Sequence, residues 1–422
     1  MRILHTSDWH LGHGLHGRSR EAEHQRFIDW LLDRIDEHMV DAIIIPGDIF
    51  DSANPPTAAL RAWYGFLGAA RKRNRGLDIV VTGGNHDSAA RLDAPRALLE
   101  PLDVRVIGGV PRLDDGAIDY DAMAVPLTGM DGSIEAWVAA VPFLRPADLP
   151  RVDLPESAEG EPRPDPLVEG VRLVYQRTFE AVRARMEPGQ SIIATGHCYM
   201  RGGRISEDSE RKVLGGNQHA LPLDIFPADV AYVALGHLHL AQAVGGVEHV
   251  RYCGSPLPLS MAEREYPHQI LLVDIFDGRL DAVRSLAAPS GVEMVRVPVA
   301  GYEPVGTVLE RIAALPPLDR TRPEWTRPFL EVAVRLDAPE PGLRLRVEEA
   351  LVGKHARLAR LVVDRPGRGR ALADEVPDAQ LGTLNAEEVF RRKWARQHPG
   401  DPPDPLLEKF HELLQDIEQD DG

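Results

Sequence analysis

The sequence predicts an α/β fold built on a mainly parallel sheet, and two observations carry that prediction. Through the first hundred residues, short apolar runs alternate with amphipathic stretches of helical period, and strand–helix–strand order is the signature of parallel βαβ units. In addition, five clusters of metal-binding residue types each close an apolar run: Asp8-Trp9-His10, Gly47-Asp48, Gly84-Asn85-His86-Asp87, Gly196-His197 and Gly236-His237-Leu238-His239. The carboxyl ends of parallel strands are where such sheets bind ligands.

The elements follow in order. Strands are expected at Arg2 to Ser7, Ala42 to Pro46, Ile79 to Thr82 and Val104 to Ile107. Between them, Glu21 to His38 carries Phe27, Trp30, Leu31, Leu32 and Ile35 at helical spacing, with acids in the first turn where the helix dipole favours them. Leu60 to Ala70 reads as a second helix and Pro95 to Glu100 as part of a third. Tyr120 to Val125 and Glu135 to Val141 read as strands, and the Pro- and acid-rich stretch from Pro142 to Gly170 as a solvated loop. A helix over Val171 to Met186 precedes strands at Ile192 to Thr195, Val230 to Leu235 and His268 to Ile275. After a break near Ala287 to Gly291, strand candidates at Val295 to Val299, Phe329 to Leu336 and Leu358 to Val363 predict a small α+β segment with helices between them. In the tail, Asn385 to Gln397 and Pro405 to Glu418 read as two helices. The second puts Leu406, Leu407, Phe410, Leu413, Leu414 and Ile417 on one stripe, which calls for a packing partner.

The chain of 422 residues accommodates one large domain and one or two smaller ones. No apolar run approaches a membrane span, and the first residues form a strand-like run without a charged leader, so a cytoplasmic protein without a signal peptide is expected. Two cysteines, Cys198 and Cys253, exclude a disulfide framework or a thiolate zinc site and read as small buried hydrophobes. The formal charge of −17 argues against a strongly basic nucleic-acid binder. Acids nevertheless crowd the tail, and basic clusters stand at Arg71 to Arg75, around Arg201, Arg204, Arg211 and Lys212, and at Arg365, Arg368 and Arg370.

Residues two apart on an extended segment face the same way, so Asp8 pairs with His10 and His237 with His239. The set offers carboxylates, imidazoles and one amide, which suits two divalent ions about 3.5–4 Å apart clamping an in-line displacement at phosphorus. Asp48 is expected to bridge them, with Asp8, His10 and His239 completing one ion and Asn85, His197 and His237 the other. A water between the ions is the expected nucleophile. Oxygen and nitrogen ligation without thiolate favours Mn²⁺, with Fe or Zn as alternatives. His86 directly follows a ligand, so it is expected to face the scissile phosphate and stabilise or protonate the leaving oxygen. Asp51 is the candidate to orient it. His5, His13, His16, His24 and His38 lack matched partners in the pattern.

With those residues in order, the chain resembles the calcineurin-like metallophosphoesterase superfamily. Within it, the chain is similar to the DNA nuclease subunits that work beside an ABC-type ATPase. Stretches carrying the closer likeness include Met1 to Gly12, Ser19 to Gln25, Val40 to Ile45, Val141 to Pro146, Glu248 to Pro256 and Ala386 to Phe390. The resemblance implies a four-layer αββα core over 1–288, a small α+β capping domain over 289–376 and a C-terminal helical segment over 377–422 that binds the ATPase partner. It implies Mn²⁺-dependent, ATP-assisted cleavage of DNA ends, hairpins and single strands (3'–5' exonuclease on duplexes, endonuclease on single strands) in repair and recombination. It also implies a homodimer in the cytoplasm, associated with the nucleoid. Phosphatases of the superfamily carry an Arg just after Gly-Asp-x-x-Asp; this chain reads Gly47-Asp-Ile-Phe-Asp-Ser-Ala53, which favours a diester. The alternatives are an esterase for small phosphate esters or cyclic nucleotides, and a non-catalytic DNA-end tether that regulates an ATPase.

Overall fold

The computed structural model describes residues 1–129, 131–152, 164–204, 220–289 and 291–365, with scattered positions between 390 and 407. By contacts the chain forms two compact units, Met1–Val334 with Pro341–Val363, and Arg335–Glu340 with Asp364–Gly422. The tail helices expected over 385–397 and 405–418 lie outside the described residues, save isolated positions.

Two six-stranded sheets dominate the first unit. Their strands in chain order are β1 (Arg2–His5), β2 (Ala42–Pro46), β3 (Asp78–Thr82), β4 (Val104–Ile107), β5 (Ala124–Thr128) and β6 (Ile134–Ala139). They continue with β7 (Ser191–His197), β8 (Val230–Gly236), β9 (Gln242–Val244), β10 (Val247–Tyr252), β11 (Gln269–Phe276) and β12 (Arg279–Ala287). The first sheet runs β12-β11-β1-β2-β3-β4 and the second β9-β10-β8-β7-β6-β5. Strands β1 to β4 are mutually parallel, as are β6, β7, β8 and β10. Antiparallel strands close the edges.

Alternation along the central strands explains the layering. Ile3, Ala42, Ile44 and Val80 point into a core shared with Val138, Ile193, Val233 and Leu235 of the second sheet. Their neighbours Leu4, Ile43, Ile45, Ile79 and Val81 point the other way, onto helices α1 (Glu21–Glu37) and α2 (Thr57–Arg73) through Phe27, Leu31, Ile35, Trp63 and Phe66. Helix α3 (Pro166–Arg183) covers β5 and β6 on the far side with Val174, Phe179 and Val182. Helix, sheet, sheet, helix is the αββα order. Because both faces of β1 to β3 are covered, these strands read as continuous apolar runs.

The segment after Gly291 holds β13 (Met294–Val297), α4 (Val305–Ala313), β14 (Phe329–Arg335), α5 (Leu343–Ala350) and β15 (Arg357–Asp364). Strand β14 pairs with β13, parallel to it, with the two-residue strand Glu303–Pro304 and with β15. Within the first unit, this segment packs on loops of the two-sheet part through a small cluster of Leu15, Met261, Val292, Phe329 and Ala359. Beside it, the fully buried Arg20 donates to both oxygens of Glu23 at 2.9 and 2.7 Å, and Glu23 accepts from the Val292 amide at 2.9 Å.

Three sequence expectations shift. The strand expected from Tyr120 begins at Ala124, because residues 121–123 form a 3₁₀ turn. Part of the loop expected up to Gly170 is already helix, with Asp165 capping α3 by accepting from Leu167 N at 2.9 Å. Edge strands β9 and β12, and β10 next to β9, have no counterpart among the expected elements; β12 alternates exposed and half-buried residues and presents no apolar run.

Candidate metal centre

The two sheets bring the five clusters to one place. Asp8 and His10 follow β1, Asp48 follows β2, Asn85 and His86 follow β3, His197 ends β7, and His237 and His239 follow β8. Beyond the strands the first two loops stay zipped together, with Asp8 N donating to Gly47 O at 3.2 Å and His10 N to Asp48 O at 3.1 Å. Asp87 ties in the third loop, its buried carboxylate accepting from Gly84, Ile49 and Phe50 amides at 2.9, 3.2 and 3.0 Å. Contact between the sheets is close at Gly47, where an added Cβ would stand 2.2 Å from His197 Nδ1.

Asp8, His10 and His239 present ligand atoms within 4.8 Å of one another, and so do Asp8, Asp48 and His197. The Asp48 carboxylate oxygen Oδ2 lies 3.5 Å from His10 Nε2 and 3.3 Å from His197 Nε2, between the two groups. Asn85 Oδ1 stands 2.9 Å from His197 Nε2 and 3.1 Å from His237 Nδ1. All seven expected ligands and His86 therefore converge. Asp8, His10, Asp48, His197 and His237 are buried, while Asn85, His86 and His239 are half-buried at the rim. Four of them adopt left-handed backbone, with φ of 54° at Asp8, 46° at His10, 50° at Asp48 and 101° at His237. Non-glycine residues rarely do so, and such strain gathers at functional sites.

The electrostatics fit a cation. Burial works against a charged His197, but the adjacent Asp48 carboxylate outweighs it and raises the imidazole to about 9. Burial would likewise raise Asp48, yet the His197 charge and hydrogen bond hold it well below the usual carboxylate range. His237, buried and beside that imidazolium, is pushed down to about 3. A centre that recruits a proton onto His197 to balance Asp48 is one where a divalent ion can take that proton's place. A second observation agrees: His10 Nε2 is buried without a hydrogen-bond partner, directed at the Asp48 side of the centre. The residues present fit a pair of divalent cations.

Three of the rings, those of His10, His197 and His239, are held by their other nitrogen, the arrangement that orients metal-ligating histidines. His197 Nδ1 lies 2.9 Å from Pro46 O and His10 Nδ1 3.2 Å from Asp51 Oδ1. Asp51, the candidate to orient His86, does contact that ring, but through its main-chain carbonyl at 2.9 Å from His86 Nδ1. Its carboxylate serves His10 and also His13, whose Nδ1 is 3.0 Å away. His13 therefore has a partner that the sequence pattern does not reveal. His86 also ties to the centre through its amide, which donates to Asp48 Oδ1 at 2.9 Å. Sequence reasoning misses Glu263, whose Oε1 lies 3.1 Å from His239 Nδ1. His5 and His24, unmatched in the pattern, are buried core residues; His5 contacts Tyr232 OH at 2.9 Å and Leu235 O at 3.1 Å, and burial pushes it down to about 3.

Comparison with known proteins agrees with this geometry. The family model described as calcineurin-like phosphoesterase matches residues 1–241, and one described as type 5 capsule protein repressor C-terminal domain matches residues 290–398. The chain is 40% identical over 392 residues to the SbcD subunit of the nuclease SbcCD from Rhodobacter capsulatus, covering 92% of this chain and 93% of that one. Identity to the protein of the same name is 34% in Escherichia coli, over 94% of this chain and 93% of the relative. It is 30% in Bacillus subtilis, over 100% of both.

Proposed function

From the premise that the chain belongs to the calcineurin-like phosphoesterases and, within them, to the SbcD family of nuclease subunits, we propose that it is a metal-dependent DNA nuclease subunit. Its substrates are DNA ends, hairpins and single strands, cleaved 3'–5' from duplex ends and internally on single strands, in repair and recombination. The observation that carries this is the convergence of seven oxygen and nitrogen ligands around Asp48, with His86 beside them at the rim.

In this reading Asp48 would be shared by two divalent ions, taken as Mn²⁺ because the donors are oxygens and imidazoles without thiolate. Asp8, His10 and His239 would hold one ion, and Asn85, His197 and His237 the other. When bound, such a pair stabilises charge building on a phosphoryl oxygen and acidifies water for attack. The protein's own groups do the rest. The Asp51 carbonyl accepts the Nδ1 proton of His86 and leaves Nε2 facing the substrate. As an imidazolium, His86 hands its Nε2 proton to the departing sugar oxygen and returns to neutral. Asp51 acts on His86 through the backbone and on His10 through its carboxylate.

The proposed organisation is a nuclease domain over 1–288, a capping domain over 289–376 and a C-terminal segment over 377–422. That last segment would dock on the coiled-coil base of an ABC-type ATPase of the SbcC kind. A homodimer is proposed as well. Among the described residues no helix is long and apolar enough to cross a membrane, and we assign the protein to the cytoplasm and nucleoid.

One assay tests the activity. With Mn²⁺, hairpin DNA is expected to be cleaved, whereas a cyclic nucleotide and an aryl phosphate monoester are expected to turn over slowly or not at all. Turnover of the small esters alone overturns the nuclease reading.

A further inference from the structure

We propose that Glu263 is a positioning residue of the metal centre: its buried carboxylate holds the His239 ring by Nδ1, so that Nε2 faces the ion shared with Asp8 and His10. This rests on the two-metal reading above and extends it to a residue outside the five clusters.

Glu263 has no exposed surface. A buried carboxylate is strongly disfavoured unless donors surround it, and here they do. The Leu259 amide donates to Oε2 at 2.8 Å, and the Ser260 hydroxyl donates to Oε1 at 3.3 Å. These contacts within its own turn fix the carboxylate before His239 arrives at 3.1 Å. The carboxylate is therefore the anchored partner and the half-buried ring the positioned one. An ionised carboxylate only accepts hydrogen bonds, so the contact places the ring proton on Nδ1 and leaves the Nε2 lone pair for an ion.

The turn is itself held from outside the metal body. Met261, two residues before Glu263, is buried among Leu15, Val292, Phe329 and Ala359. The main-chain carbonyl of Glu263 stands 3.1 Å from His268 Nε2, whose Nδ1 is 2.9 Å from Ser255 O. Residues Val292, Phe329 and Ala359 belong to the segment after the two sheets, so that segment supports the turn that sets His239. The partner of His10, Asp51, comes from a ligand loop, and that of His197 is the Pro46 carbonyl. Glu263 instead brings in a separate part of the chain.

The test is Mn²⁺ binding to the full-length protein by titration calorimetry, with metal content measured after dialysis, for wild type and Glu263→Gln. Glutamine keeps the volume and can still accept from Leu259, but it presents a neutral amide to His239. The wild type is expected to bind two Mn²⁺ per chain. In Glu263→Gln one of the two sites should weaken roughly 10- to 100-fold, as loss of such a supporting partner does. The other site and the thermal midpoint of the metal-free protein should be unchanged, and excess Mn²⁺ should restore cleavage. Two sites of wild-type affinity in Glu263→Gln would overturn the proposal and leave the two-metal reading intact. Failure of the wild type to bind Mn²⁺ would overturn both. If Glu263→Gln does not fold, the long-range ¹H–¹⁵N spectrum of the histidine rings in metal-free wild type decides. A proton on His239 Nδ1 supports the proposal, and one on Nε2 alone overturns it.

Discussion

Gly84→Ala is a single methyl placed against the proposed bridging carboxylate. An ideal Cβ at position 84 would stand 2.1 Å from Asp48 Oδ1 and 2.3 Å from Asp48 N, where ordinary contact begins near 3.4 Å. The carboxylate could turn away, but the Asp48 amide nitrogen cannot, so relief demands about 1.1 Å of movement between two backbone segments. The same loop carries Asn85 and His86, and it is pinned by Gly84 N to Asp87 and by His86 N to Asp48, each at 2.9 Å. Displacing it misplaces a proposed ligand and the proposed acid together, and a misplacement of about 1 Å costs on the order of 10²-fold in rate. Overpacking adds roughly 1–3 kcal/mol of destabilisation. The assay is Mn²⁺-dependent cleavage of hairpin DNA alongside a metal count and a thermal melt. Gly68→Ala is the control: it sits on an exposed face of α2 with nothing within 4 Å of an added Cβ, and should be neutral or stabilise by up to ~1 kcal/mol. Wild-type cleavage and metal content in Gly84→Ala would refute the placement of Asp48 at the centre.

His86→Ala should retain both metal ions yet lose roughly 10²–10⁴-fold in cleavage, whereas Asp48→Ala should lose metal as well; full activity in His86→Ala removes its proposed role. Asp51→Ala keeps the main-chain carbonyl on His86 but frees His10, so a ~10- to 100-fold loss of metal affinity is expected, reversed by excess Mn²⁺. Should activity instead vanish at saturating metal, the Asp51 carboxylate acts on the reaction directly. Glu23→Ala leaves the buried Arg20 guanidinium without its two carboxylate bonds, and denaturant melts should show ~3–5 kcal/mol lost. An unchanged midpoint would mean that water reaches Arg20.

How much of this is legible in the sequence depends on what each residue's signal is made of. Strands β1, β2 and β3 are readable because burial on both faces writes continuous apolar runs, and the ligand clusters because each stands at the end of an apolar run. Strands β9 and β12 lie at sheet edges and pair on one side only, and β10 beside the edge keeps exposed and half-buried positions, so their composition does not separate them from loops. Glu263 is hidden for a different reason. It reaches its histidine from 24 residues away along the chain, and a supporting carboxylate has no spacing rule of its own. Its one trace is an acid closing the mainly apolar run Leu257-Pro-Leu-Ser-Met-Ala-Glu263. The role of Asp51 is half visible: nearness to His86 follows from sequence, but only coordinates distinguish a main-chain carbonyl from a carboxylate.

The backbone of the centre also bears on whether the chain cleaves DNA or merely holds it. Left-handed geometry at Asp8, His10, Asp48 and His237 costs on the order of 1 kcal/mol or more at each residue. Nothing in the packing of the two sheets requires that strain, because each residue lies beyond the end of its strand. What offsets it is a lattice of bonds between the loops themselves: His237 N to both Asp8 oxygens at 3.0 and 3.2 Å, His86 N to Asp48, and the three amides on Asp87. These bonds fix the donor atoms before any ion arrives, so little reorganisation remains to be made during the reaction. A tether needs only surface charge and a docking segment, and would gain nothing from holding four strained residues in register. The strain is what preorganisation of a reacting centre would require, and it supports the proposed role of His86 beside that centre.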